Sequence, residues 1–172
     1  MSALIERALE SENWPQTRAL IRNVLKREPD NHWLLTRLGS TYYEQKQYKR
    51  ALHYTLKAFA LAPQCPLVLW DYAGCLEMLN QSKEAMAIYR RLIRRDVHRL
   101  ANGDCGEGVA WARGLVADCH YRMAHCYRDQ GNKKQARVSY QQHLALRGSG
   151  CRSIYRNNEV KKELQQLNAS WH

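Results

Sequence analysis

The sequence has only 4 proline and 9 glycine residues in 172 and no low-complexity tract, so long disordered segments are not expected. No apolar stretch approaches the ~18 residues that a membrane-spanning helix requires. Residues 1–12 carry Glu6, Glu10 and Glu12 and no apolar leader core, so no secretory signal is visible and a cytoplasmic location is expected. The 6 cysteines include no C-x-x-C pair, and in a reducing compartment they are expected to be free thiols. The motifs G-x-S-x-G, G-x4-G-K-[ST] and H-E-x-x-H are all missing, and the 16 acidic residues are scattered. The expectation is a chain with no catalytic residues, no cofactor and no resident metal.

What the sequence does have is positive charge, unevenly placed. Lys and Arg number 27 against 16 Asp and Glu, a formal +11. Residues 1–85 carry 11 basic and 9 acidic groups, whereas residues 86–172 carry 16 and 7. Such asymmetry bears on partners rather than on fold, and it makes acidic protein or nucleic acid a candidate.

Period-2 alternation is absent, and helical spacing recurs throughout. Leu35, Leu38, Gly39 and Tyr42 share one helical face. A break at Gln45-Lys46-Gln47 follows, and Tyr48, Ala51, Thr55 and Ala58 form a second stripe that stops at Pro63. A shift of 34 residues repeats the pattern at Leu69, Tyr72, Ala73 and Leu76, then at Ala85, Tyr89 and Leu92. A later copy runs through Met123, Ala124 and Tyr127, a Gly131-Asn132 break, and Ala136 and Tyr140. A partial copy with Ile21 and Val24 leads to Pro29.

This period, with Leu38-Gly39, Tyr42, Ala51, Ala58 and Pro63 in its best copy, resembles the tetratricopeptide repeat family, whose 34-residue helix-turn-helix units carry W-x2-L-G-x2-Y. The Trp of that motif is replaced here by Leu35, Leu69 and His120. The resemblance implies an all-α, right-handed helical-repeat solenoid of three to four helix-turn-helix units. The expected boundaries are a partial unit at 1–31, units at 32–65, 66–99 and 117–150, an insertion at 100–116 and a cap at 151–172. Stacking is required because one unit cannot bury its own apolar face. The cap has Val160, Leu164 and Leu167 as its stripe.

The insertion interrupts the period. Arg90 to Ala101 contains no Pro or Gly, and Val109 to Gln130 is broken only by Gly114, so an elongated helix pair with a Gly-rich tip at 102–108 is expected. Arg90, Arg91, Arg94, Arg95 and Arg99 would then cover one helix face and offer a basic docking surface. Cys119, Met123 and Cys126 fall at i, i+4 and i+7, the spacing of apolar helix packing rather than of a zinc site.

The resemblance also implies a concave groove lined by the first helix of each unit. Residues there outside the packing stripes include Trp33, Arg37, Tyr43, Trp70, Asp71, Tyr121, Arg122, His125 and Arg128, rich in types that anchor interfaces. The function expected is a non-catalytic scaffold holding a peptide or helix of a partner protein, acidic in character. The alternative is a basic helical-repeat protein that binds RNA or DNA through its Arg-rich half. No membrane partner is expected.

Overall fold

The computed structural model describes residues 2–169, and among these it contains ten helices and no strand. The chain divides into two compact units, Met1–Gln81 and Ser82–His172.

The first unit holds α1 (Ser2–Glu10), α2 (Trp14–Leu25), α3 (His32–Glu44), α4 (Tyr48–Leu61) and α5 (Pro66–Met78). Residues 1–31, expected to hold part of a unit, thus supply both α1 and α2. Each helix packs on the next, and α3 also touches α5. The core joins Ile5 and Ile21 to Leu34, Leu38, Tyr42, Ala51 and Cys75. Gly39 is the point of closest approach, since a Cβ there would lie 3.0 Å from Thr55 Cγ2 and 3.3 Å from the Ala51 carbonyl oxygen. Only a residue with no side chain lets α3 and α4 meet this tightly.

Helix starts and stops follow local chemistry. Asn13 and Asn31 accept from the amides of Gln16 at 3.3 Å and Leu34 at 3.1 Å, and so satisfy amides that a helix start leaves open. The stops have a period of their own. Left-handed residues fall at Glu12, Lys46 and Asn80, with φ of 54°, 58° and 62°, each 34 residues after the last. At the second, the Gln47 amide donates to the Tyr42 carbonyl at 2.9 Å and the Lys46 amide to Tyr43 at 2.8 Å; at the third, Gln81 donates to Leu76 at 2.9 Å and Asn80 to Glu77 at 3.0 Å. These paired bonds close the last helical turn.

The second unit holds α6 (Ser82–Ile93), α7 (Val97–Asn102), α8 (Val109–Asp129), α9 (Lys133–Gly148) and α10 (Asn157–Ala169). α8 packs against α6, α7 and α9, and α10 packs against α9. The reversal between α8 and α9 repeats the first unit's form around Gly131, φ 73°, with Asn132 donating to Tyr127 at 2.8 Å. Val160 and Leu167 are buried on α10 and Leu164 packs beside Val160, the stripe read from the sequence.

The insertion differs from its expected form on one side. α8 is elongated, with 21 residues, but the chain before the gap does not continue as one helix. α6 ends at Ile93, and α7 begins afresh after Asp96, whose carboxylate accepts from the Arg99 amide at 2.9 Å. An Asp side chain competes for backbone amides and so caps a new helix more readily than it extends an old one. The arginine run is therefore divided. Arg90 and Arg91 lie in the last turn of α6, Arg94 and Arg95 in the connection, and Arg99 on α7.

Candidate functional site

In the first unit, α3 and α5 carry Arg37 and Asp71. Arg37 lies with its guanidinium 5.3 Å above the Trp33 ring, and its Nε is 3.7 Å from a Glu6 carboxylate oxygen on α1. That Nε is buried and has no hydrogen-bond acceptor among the described residues. Ser40, one turn along α3, donates its hydroxyl to Asp71 Oδ2 at 2.7 Å. Burial lifts the Asp71 carboxyl to about 6, although the Ser40 hydrogen bond and the Arg37 charge pull the other way and Glu44 adds a little. Burial, and then the charge of Glu12, also raise Glu44. Glu6, Trp33, Arg37, Ser40 and Asp71 thus form one polar patch. Trp70 is half-buried beside Asp71 in the sequence. Tyr43 is turned to a different contact, edge-on to Tyr48 with ring centres 5.3 Å apart.

In the second unit, the expected groove residues are brought together around a residue that sequence reading did not single out, Glu163 of α10. Tyr121 donates to its Oε1 at 2.9 Å and Arg128 to its Oε2 at 2.9 Å, while Tyr140 also donates to Oε2 and His125 Nε2 lies 3.0 Å away. Burial alone would raise the Glu163 carboxyl. Contacts from His125, Tyr140 and Tyr121 outweigh it and hold the group at about 2. The tyrosines answer in the opposite sense, since burial and the carboxylate both push the Tyr121 and Tyr140 hydroxyls up. Tyr121 stacks on Tyr155 at 3.9 Å, and Arg122 reaches the Tyr155 hydroxyl at 3.5 Å. The cap helix occupies these residues itself. The available signal was Glu163 lying one residue before Leu164 of the apolar stripe, which turns an acid toward the edge of the cap interface.

A second anchor holds the segment that leads into α10. Asp118 on α8 accepts from the Ser153 hydroxyl, and from the Ile154 amide at 3.3 Å. Burial raises its carboxyl to about 6, against the pull of those hydrogen bonds and Arg147. One turn earlier on α8, Gly114 admits the same segment, for a Cβ there would fall 2.3 Å from the Arg152 carbonyl oxygen. Cys119 and Cys126 are fully buried and form no disulfide, and burial pushes the Cys119 thiol well up, away from the reactive thiolate.

Of the basic run, Arg90 donates to the Tyr127 hydroxyl at 2.8 Å, Arg91 and Arg95 are half-buried, and Arg94 and Arg99 are exposed. The run is not a continuous stripe on one helix.

Helix pairs of fixed period, reversed by left-handed residues at fixed spacing and exposing aromatic and arginine side chains, define a helical-repeat protein. The chain belongs to the tetratricopeptide repeat family: family models of that description match residues 3–58, 36–97 and 117–148. None covers 98–116, where α7 gives way to the start of α8. Among curated proteins it is similar to DnaJ homolog subfamily C member 7 of Homo sapiens, 26% identical over 131 residues, which is 76% of this chain and 22% of that protein; the Mus musculus protein of the same name matches to the same extent. The chain thus spans about a fifth of the length of these relatives. Among solved structures it is similar to MamA 41-end from Desulfovibrio magneticus RS-1, with a TM-score of 0.72 at 15% identity, covering 98% of this chain and 82% of that one. A crystal structure of MamA gives 0.63 at 15%, covering 96% and 92%. At these identities the likeness to the solved structures is one of fold.

Proposed function

We propose that this chain is a non-catalytic protein-interaction scaffold, and that the α3–α5 face of its first unit holds a segment of the partner. The observation that carries this reading is the Arg37 and Asp71 pair beside Trp33. Arg37 keeps a donor, Nε, with no hydrogen-bond acceptor among the described residues, and its charge is felt by the Asp71 carboxyl, which accepts from Ser40 through Oδ2. Together they match a peptide group, whose carbonyl accepts and whose amide donates, while Trp33 offers a flat apolar surface to a neighbouring side chain.

Charge alone does not select the partner on this face. Arg37 already faces Glu6, and in the second unit Arg128 holds Glu163 and Arg122 reaches Tyr155. Two of these three arginines, Arg37 and Arg128, thus already face carboxylates within the chain, whereas the Arg122 contact is with an uncharged hydroxyl.

The double variant Arg37→Ala, Asp71→Asn removes the guanidinium and turns the carboxylate into a neutral amide, and a hydrogen bond to a charged group is worth about 1.5–3 kcal/mol. Capture of protein partners from cell extract should fall at least about tenfold while circular dichroism stays unchanged. Unchanged capture, or capture abolished by nuclease treatment of the wild type, sinks the reading; the second result would favour the nucleic-acid alternative.

A further inference from the structure

The second helices of the first unit, α2 and α4, carry a surface of a different character. Between them runs an open trough of about 570 Å³. Leu35 and Leu38 of α3 form its floor, and Leu25 and the exposed Leu61 form its walls. Cations surround this apolar strip. Arg22, Lys26 and Lys57 line it, against one carboxylate, Asp30.

None of the cations along this face has a carboxylate partner among the described residues. Arg22 donates to the uncharged Tyr42 hydroxyl at 2.5 Å, Arg18 to the Gln45 amide oxygen at 2.7 Å and Arg50 to that of Gln47 at 2.9 Å. Arg18 and Arg50 also lie 4.9 and 5.9 Å from the Tyr42 ring, which stacks on Tyr54 at 5.4 Å. Lys26 and Lys57 have no ion-pair partner among the described residues. The three arginines are thus held by neutral and aromatic partners, and Arg22, Arg50, Lys26 and Lys57 are exposed. The α3–α5 patch is the opposite case, an arginine set among carboxylates.

We propose that the α2–α4 trough is a docking site for an amphipathic segment of a partner protein with acidic flanks. Apolar side chains of that segment would enter between Leu25 and Leu61, and its carboxylates would meet Arg22, Lys26 and Lys57. The apolar walls favour protein over nucleic acid, because a phosphate backbone gains nothing from the half-buried Leu25 and the exposed Leu61 and leaves them wet. Charge complementarity of this kind sets which partner is accepted and how fast it arrives. The site is separate from the α3–α5 face and does not depend on that face being a binding site.

The test uses a display library of helical peptides with leucine fixed at i, i+4 and i+7 and all flanking positions randomised. The library is selected on the whole protein and counter-selected on a Lys26→Glu, Lys57→Glu, Leu61→Asp variant, three exposed changes whose folding is checked by circular dichroism. Enriched peptides should be rich in Asp and Glu, should bind the variant at least tenfold more weakly, and should bind the Arg37→Ala, Asp71→Asn protein as tightly as the wild type. Single-stranded RNA should bind wild type and the neutral Leu61→Ser variant alike if it binds at all. The proposal is overturned if no peptide is enriched, if basic or uncharged flanks are enriched, or if RNA binding depends on Leu61 as the peptides do. Loss of peptide binding in the Arg37→Ala, Asp71→Asn protein would also overturn it, by moving the peptides to the other face.

Discussion

Glu163 gives the sharpest prediction about the second unit. Its side chain is 21% exposed and is met by two tyrosine hydroxyls, an imidazole and a guanidinium. A carboxyl held at about 2 instead of 4.5 prefers the folded state as an anion. That difference corresponds to roughly 3 kcal/mol. Water reaches part of this group and screens it, which leaves about 1–2 kcal/mol for folding. The folded carboxyl lies below its unfolded value, so the contribution is complete above about 4.5 and is lost as pH falls toward 2. Glu163→Gln keeps the shape and removes the charge. In urea unfolding at pH 7 it should cost about 1–2 kcal/mol, and the gap to wild type should narrow as the pH is lowered from 4.5 to 3. Equal stability at pH 7, or a gap that does not change with pH, would refute the reasoning.

Other consequences follow from particular contacts. Asp118→Ala removes the acceptor for Ser153 and the Ile154 amide, and should cost about 2 kcal/mol in urea unfolding and speed hydrogen exchange at Ile154. Gly39→Val forces side-chain atoms into a gap already closed to 3.0 Å, and a loss of about 1–3 kcal/mol is expected by the same method. Asp71 behaves oppositely to Glu163. Its folded carboxyl is raised to about 6, so stability should fall as pH rises from about 4 through 6, and Asp71→Asn should flatten that stretch of the profile by about 1–2 kcal/mol.

The helical period was legible because each repeat must bury the same face, so Leu35 recurs as Leu69 and Ala51 as Ala85 where packing demands them. The cap stripe at Val160 and Leu167 was legible for the same reason. The reversals were legible only as breaks, because Glu12, Lys46 and Asn80 share a backbone conformation and no residue type. The division of the arginine run is not legible from the absence of Pro and Gly, because Asp96 starts a new helix by capping it. Tyr121, His125 and Arg128 all lie on α8, but spacing along a helix carries no information about which later segment lies over it. The trough between α2 and α4 was invisible for a related reason. Its leucines and cations come from three helices, and each helix alone reads as an ordinary amphipathic surface.

The central claim is that the α3–α5 face of the first unit holds a partner protein, and photo-crosslinking tests it most directly. With p-benzoylphenylalanine in place of Trp33, irradiation in cells should give a discrete adduct that protease removes and nuclease does not, and that is lost when Arg37→Ala and Asp71→Asn are added. An adduct that nuclease removes, or none from position 33 while a crosslinker at exposed Arg94 gives one, would contradict the account.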